Sequence, residues 1–534
     1  MRYVCVLFFT VAGYGISCAQ GGKASAKMFS DGGKLYRKNN YLGALRLFLQ
    51  AYKTDSLNAN LQYNIGLCYN KLGKSDSSVA YLTKAVKGVS KTYDPKSTDE
   101  RSAPGNAYYL LGEGLQDTWN FSQAVKAYKA YKPYIAAGDK AGMAELNHRI
   151  NQCKTANMFL MAPSNAQIIN MGDSINSGYD DYNPVLQPDG AAMLFTSRRP
   201  AGAKGENNPN IYISYIKPDS SWKTAHICSK TLNAFTGNTS LDLSADGQTL
   251  LVLCNTGKHN AIYQSQQGES DWGTPVQAGT DINLTGNQTD ACLSPDGATL
   301  FFVSDRPGGM GGKDIWRCVK LPNGNWSKAR NMGETINSPY DEESPFLHND
   351  GKTFFFSSQG HNSMGGYDIF FSQADDSGKY SEPFNLGYPI NTPANELHFS
   401  LSADGKKGFM CSDRPGGKGG LDIYSVVMPH VSDIPLTIIR GQVPPPEGGT
   451  LSDDVHIVAT DNATNEEAGD FKPIKTTGRF TIIVQPGRSY TLSYQDGDKE
   501  FYHEVINVPA DAGYGRIHKE LNLSPHSETG VGKN

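Results

Sequence analysis

Acidic side chains recur through the middle of this chain at matching offsets: Asp180 and Asp181, Asp290, Asp341 with Glu342 and Glu343, and Glu396. Paired carboxylates at a set separation can cleave a glycosidic bond, and a gathered set can hold a cation or a sugar. Repetition argues for a plainer use, because catalytic groups are ordinarily unique within a repeated array. Turn capping and structural hydrogen bonding is the stronger reading. The strings GGMGGKD and GGKGGLD invite a phosphate cradle, which fails on context: Lys313 precedes Asp314 where Ser or Thr is needed, and a strand follows where a helix N-terminus is needed. Wide loops in which Asp305 or Asp413 accepts backbone N–H bonds account for the glycines. His259, His348, His361 and His398 are scattered, and His503-Glu504 lacks the second histidine of a zinc helix. No GxSxG elbow is present. The expectation is a protein with no catalytic residue, no metal and no cofactor. The alternative is a saccharide-binding or glycan-processing protein using the acidic positions with Trp222, Trp272 or Trp326.

These groups are positioned by a repeat. LSPDGATLFFVSDRPGGMGGKDIW, Leu293–Trp316, returns as LQPDGAAMLFTSRRPAGAKGENNPNIY, LSADGQTLLVLCNTGKHNAIY, LHNDGKTFFFSSQGHNSMGGYDIF and LSADGKKGFMCSDRPGGKGGLDIY. The Asp of each DG pair falls at 189, 246, 296, 350 and 404, in steps of 57, 50, 54 and 54, a period that marks a propeller or repeat array. Each DG supplies a positive-φ turn. An apolar run such as LFFV follows, as for a strand buried on both faces. The glycine-rich loop leads to DIW, DIF or DIY, and a third strand carries an aromatic such as Trp326. The blocks NMGDSINSGYDDYNP, NMGETINSPYDEESP and NLGYPINTPANELHF repeat ahead of the DG turns. Residues 166–430 therefore read as a five-bladed all-β propeller, with Asp305, Arg306, Asp341, Asp413 and Arg414 as surface candidates. Surface specificity is expected where copies depart from the rule, as in CNTGKHNAIY. Whether the segment near Ile168 closes the ring against Val426 is open.

From 25 to 164 the period is helical. Gly32, Leu35, Phe48 and Ala51 are answered 34 residues later by Gly66, Tyr69, Leu82 and Ala85, and a third copy carries Gly112, Leu115, Ala124 and Tyr128 after a 12-residue insertion. This pattern resembles the tetratricopeptide repeat, in which a small residue lets two antiparallel helices pack closely. The resemblance implies a concave groove for a protein partner, lined by Phe29, Tyr36, Tyr63, Asn70, Lys71, Tyr109 and Gln116. The same tyrosines also suit packing between repeats. KAGMAELNHRINQCKTANMF reads as a capping helix.

Residues 1–19 read as a secretory signal, with an apolar run and Ser17-Cys18-Ala19 before Gln20. Cleavage before Gln20 and lipidation of Cys18 are both open. No later run of about 20 apolar residues occurs. The net charge of −4 gives no reason to expect nucleic acid. The later cysteines lie singly without a CxxC pair, as buried free thiols do. Beyond Met428, alternating segments over 436–523 read as a small β module, and 524–534 as a polar, disordered tail.

GRFTIIVQPGRSYTLSY looks like the carboxypeptidase-regulatory-like domain, which implies a transthyretin-like β-sandwich without peptidase chemistry. The five β copies resemble the TolB-type (WD-like) propeller repeat, with Pro295-Asp296-Gly297, Ser304-Asp305-Arg306 and Asp314-Ile315-Trp316 as the best copy. The order of modules is similar to that of PorE-type, OmpA-family periplasmic proteins of Bacteroidetes, of the type IX secretion and gliding machinery. That resemblance implies an exported scaffold in the periplasm or at the periplasmic face of the outer membrane, with envelope proteins as partners. The C-terminal OmpA-like domain of those proteins is not matched, so direct binding to peptidoglycan is not expected. Membrane attachment would come only through Cys18 lipidation or through partners.

Overall fold

The computed structural model describes residues 13–510 and 516–518, except 98, 188–189, 201–206, 246, 258, 269–270, 285, 349, 403–406, 429–436, 447–448, 453, 472, 474–477 and 485. Most of the expected signal (1–12) and the expected tail (524–534) thus lie outside the described residues. For 13–24, which include the lipidation candidate Cys18, only the backbone is described. Among the described residues no helix is long and apolar enough to cross a membrane. The chain divides into two compact units, Met1–Lys154 and Thr155–Asn534.

The first unit is built from helical hairpins. α1 (Gly13–Arg37) pairs with α2 (Tyr41–Tyr52), α3 (Ala59–Lys71) with α4 (Ser75–Ala85), and α5 (Asn106–Asp117) with α6 (Phe121–Tyr131); α7 (Lys140–Met161) follows. The 34-residue glycines explain the pairing. A Cβ on Gly32 would come within 2.7 Å of the Phe48 ring, on Gly66 within 2.6 Å of Leu82, and on Gly112 within 2.5 Å of Tyr128. Only hydrogen at these positions lets the large side chain of the second helix lie on the backbone of the first. Asn40 and Asn58 cap α2 and α3, accepting the N–H groups of Gly43 at 2.9 Å and Leu61 at 3.1 Å. The insertion is folded back: Ala103 N–H donates to the Gly88 carbonyl, and Arg101 grips Asp55 through two bonds of 2.6 and 2.8 Å.

The second unit begins with five four-stranded sheets. In chain order they are β2–β5 (Asp181–Leu186, Ala192–Ser197, Asn210–Tyr215, His226–Ile227), β6–β9 (Asn238–Leu243, Thr249–Asn255, Asn260–Gln266, Val276–Gln277), β10–β13 (Gln288–Leu293, Thr299–Ser304, Asp314–Val319, Arg330–Asn331) and β14–β17 (Glu342–Leu347, Thr353–Ser358, Asp368–Gln373, Phe384–Asn385). The fifth sheet combines β18 (Glu396–Leu401), β19 (Lys407–Ser412) and β20 (Asp422–Val427) with β1 (Gln167–Asn170) from the start of the unit. Ile168 pairs with Val426, so the ring does close through that segment. The innermost strands β2, β6, β10, β14 and β18 neighbour one another in cyclic order, giving a propeller-like ring.

One rule builds each sheet. Gly190, Gly247, Gly297 and Gly351 of the DG turns hold φ of 66–72°. The second strands are buried nearly throughout, with Phe302, Phe354 and Phe356 at 0% exposure. An asparagine then clamps the third strand: Asn176, Asn233, Asn283, Asn337 and Asn391 each accept from and donate to the backbone of one isoleucine, at 2.7–3.1 Å. The side-chain amide thereby replaces a missing strand residue.

The remaining seven strands form two sheets. β21 (Thr437–Gln442) lies between β24 (Arg479–Val484) and the parallel β27 (Arg516–His518), while β22 (Val455–Asp461) and β25 (Ser489–Asp496) lie between β23 (Glu466–Phe471) and β26 (Lys499–Asn507). Ile439, Phe480 and Ile482 of one sheet share a core with Ile457, Leu492 and Tyr494 of the other. The described cysteines are all unpaired, and burial pushes the thiols of Cys68, Cys153 and Cys254 up to about 12, so they stay protonated at neutral pH.

Candidate functional site

The acidic positions separate into three sets, of which Asp290 and Glu343 lie at the central cavities. Asp181, Glu342 and Glu396 open their inner strands at 0% exposure. Glu396 accepts from Thr392 N–H at 2.8 Å, Thr392 Oγ1 at 2.7 Å, Ser412 Oγ at 2.7 Å and Arg414 at 3.1 Å. Glu342 has the same hydroxyl partners, Ser338 and Ser358, and burial pushes its carboxyl up to about 8. These carboxyl groups tie the start of each inner strand to the loop before it. Asp341 and Asp180 instead cap the loop of the preceding sheet. Asp341 accepts Lys313 N–H at 3.0 Å and the Tyr367 hydroxyl at 3.3 Å, and Asp180 accepts Leu421 N–H at 3.2 Å.

The glycine-rich loop is filled by its own chain. Asp314 accepts Met310 N–H at 2.8 Å and Gly311 N–H at 3.3 Å, so the donors that a phosphate would need already meet a carboxylate. A Cβ on Gly311 would run into the Tyr340 carbonyl of the next sheet. Of the surface candidates, Asp305 and Asp413 are exposed and accept Asn287 and Asn395 N–H at 2.7 and 2.8 Å. Arg306 is buried instead, its guanidinium on the Asp281 and Ile282 carbonyls and 4.6 Å over the Phe302 ring. Arg414 repeats this on Pro389, Ile390 and Tyr424. The S-x-R arginines staple a loop to its sheet. Trp222 and Trp272 pack in the hydrophobic core between sheets, at 8% and 6% exposure, which removes them from any channel mouth.

The sequence did not single out the centre of the ring. Each inner strand carries a β-bulge near its third residue. Asn183, Ser344 and His398 there hold φ of 51–56°, which turns side chains toward the axis. Together with Asp290 they form a waist between two cavities, about 740 Å³ above and about 400 Å³ below, both lined by Asn183 and His398. His398 Nδ1 lies 2.9 Å from Asp290 Oδ2 and 3.1 Å from Ser344 Oγ. Ser, His and Asp thus meet, yet both oxygens address one ring nitrogen. A serine nucleophile needs the other nitrogen, so this trio is a cross-brace and is not wired for acyl transfer.

In the upper cavity Lys313 is ion-paired with Glu343, which also accepts the Thr289 hydroxyl at 2.7 Å. Burial raises the Glu343 carboxyl, opposed by the Lys313 ammonium. The lower cavity is lined by Phe346, Phe399 and Phe409 beside Asp242. Burial pushes the Asp242 carboxyl up to about 7.

The groove candidates on the helical unit fall into three groups. Tyr63, Asn70 and Tyr109 are half-buried and Lys71 is exposed. The Asn106 amide reaches Tyr63 Oη at 3.5 Å, and Tyr109 Oη reaches Glu145 at 3.5 Å, with burial pushing the Tyr109 phenol up to about 12. Phe29 and Tyr36 are half-buried on aromatic neighbours, Phe48 at 5.6 Å and Tyr41 at 5.2 Å. Gln116 lies inside the packing at 4% exposure, accepting the Tyr128 hydroxyl at 3.0 Å. Its side chain completes a buried hydrogen-bond chain and is withdrawn from the groove. Glu113 and Arg149 belong to the same polar face and were not anticipated; burial raises the Glu113 carboxyl. Their i, i+4 spacing from Tyr109 and Glu145 was the available signal.

No family model and no curated protein matches the chain. Among solved structures it is similar to the Yersinia enterocolitica type III secretion chaperone SycD, in complex with a peptide of the translocator YopD, at 16% identity over 24% of this chain and 90% of that one (TM-score 0.20). It is also similar to the Sgt2 TPR domain from Aspergillus fumigatus, at 21% identity over 25% of this chain and 81% of that one (TM-score 0.20). A putative TolB from Agrobacterium tumefaciens is similar at 15% identity over 60% of this chain and 97% of that one (TM-score 0.29).

Proposed function

We propose that this protein is a non-enzymatic scaffold that docks protein partners on its tetratricopeptide-like helical face. The five sheets would form a five-bladed TolB-type propeller, and the two C-terminal sheets a transthyretin-like spacer of the carboxypeptidase-regulatory kind. The observation that carries the reading is the polar aromatic face on α3, α5 and α7. Tyr63, Asn106, Tyr109, Glu113 and Arg149 stand half-buried there on a rigid helical stack, the arrangement that repeat proteins use for extended ligands. The channel trio adds support, because its geometry braces the ring and leaves no serine–imidazole pair aligned. We further propose export to the periplasm or the periplasmic face of the outer membrane, with an envelope assembly of the type IX secretion or gliding kind as the setting.

A photo-crosslinker placed at Asn70 tests the docking face, with one at Lys87 as control. Capture of a defined envelope protein from Asn70, lost in a Tyr63→Ala/Tyr109→Ala variant, is the expected result. Equal capture from both positions, or none from either, counts against the reading.

A further inference from the structure

We propose that the upper cavity of the ring binds a neutral oligosaccharide, a role separate from docking on the helical unit. Its volume of about 740 Å³ lies within the roughly 300–1,000 Å³ of small-molecule sites. Three charged side chains line it, and each has an opposite partner, Lys313 with Glu343 and Arg198 with Asp180 at 3.6 Å; His398 stands 2.9 Å from Asp290. A ligand carrying net charge would have to break one of these pairs in a partly desolvated site.

The rest of the wall is amide, hydroxyl and ring. Asn183, Asn208, Asn255 and Asn260 line it with Thr239 and Thr289. The Tyr182 and Tyr367 rings supply flat apolar surface, which suits the C–H face of a pyranose. The floor supplies the independent sign of a ligand. Asn183 is 2% exposed, and its Oδ1 is a buried acceptor with no hydrogen-bond partner. Leaving such a group unpaired is unfavourable, and a sugar hydroxyl that reaches it would satisfy it. A φ of +51° holds that amide at the bulge. Among the described residues the ring places one such acceptor on the axis, so one ligand per chain is expected.

The full chain is titrated calorimetrically with four neutral trisaccharides (N,N′,N″-triacetylchitotriose, maltotriose, mannotriose and β-1,4-galactotriose) and with trialanine as a peptide control. The variants are Asn183→Gly and Asn260→Ala. Glycine accepts the positive φ, so Asn183→Gly removes the amide without straining the bulge. The expected result is saturable one-to-one binding of at least one trisaccharide, weakened tenfold or more by Asn183→Gly and several-fold by Asn260→Ala, with neither unfolding midpoint lowered. Three results overturn the proposal: no saturable binding of any trisaccharide, affinity unchanged in both variants, or preferential binding of trialanine.

Discussion

The helical unit and the sheet ring are both repeat arrays, yet they close their repeats by opposite means. The helical hairpins close on removed atoms: Gly32, Gly66 and Gly112 leave room for Phe48, Leu82 and Tyr128. The sheets close on added polar groups: Asp181, Glu342 and Glu396 sit at 0% exposure inside nets of hydroxyl, amide and guanidinium donors. The first device tolerates neighbours of varied chemistry but no extra volume. The second tolerates volume in its loops but no missing partner. Fold information therefore sits in size on one side and in hydrogen-bond satisfaction on the other.

Breaking the polar device gives the largest expected effect. Glu396→Ala leaves Arg414, Thr392 and Ser412 facing a void, and should cost about 3–5 kcal/mol, read as the urea midpoint of the ring; Glu396→Gln should lose less. Gly112→Leu attacks the other device by forcing Tyr128 outward, at about 1–3 kcal/mol, read as the helical transition in far-UV circular dichroism. Titration sharpens the contrast. The Glu342 carboxyl, buried and held at about 8 against 4.5 when free, stabilises the ring fully below about pH 4.5, and that contribution is lost as pH rises through about 8. Glu100 of the helical unit is held down at about 2, chiefly by the Ser102 hydroxyl, so its contribution is present above about pH 4.5 and is lost as pH falls through about 2. Melts of the native chain between pH 5 and 9 should show a fall in the ring transition that Glu342→Gln flattens; an unchanged slope would remove Glu342 from the account. The smallest effect is expected for Arg101→Ala. Its pair with Asp55 is exposed and worth about 0.2–1 kcal/mol, detectable as a faint increase in amide exchange at Ala103.

Most of the architecture was legible because glycine is costly except where it is required. The 34-residue glycines and the DG turns mark close approaches and positive φ, and both appear in the chain as single letters at fixed steps. The channel was hidden for the opposite reason. Its waist takes one residue from each of four inner strands, at a bulge that shifts register by one. Asn183, Asp290, Ser344 and His398 share a position but no chemical type. The repeating blocks hold Asn183, Ser344 and His398, and Asp290 stands out only as one of the recurring acids, while the position that points inward carries no mark of its own. Gln116 failed as a groove residue for a related reason: helical spacing alone does not tell a groove position from one turned onto Tyr128. Arg306 and Arg414 misled through their charge. A guanidinium with five donors is easily buried when backbone carbonyls surround it.

The pairing of β1 with β20 has a temporal meaning. Gln167 meets Val427 across 260 positions of chain, so β20 lacks its outer partner strand unless the two ends of the ring meet. On a ribosome adding about 5–20 residues per second, roughly 15–50 s separate the emergence of those two strands. For that interval the early sheets stand with an open margin of unpaired backbone, and a chaperone or export factor that keeps the nascent margin from foreign strands would act on this segment first. The same clasp predicts where the ring would open first, between β1 and β20.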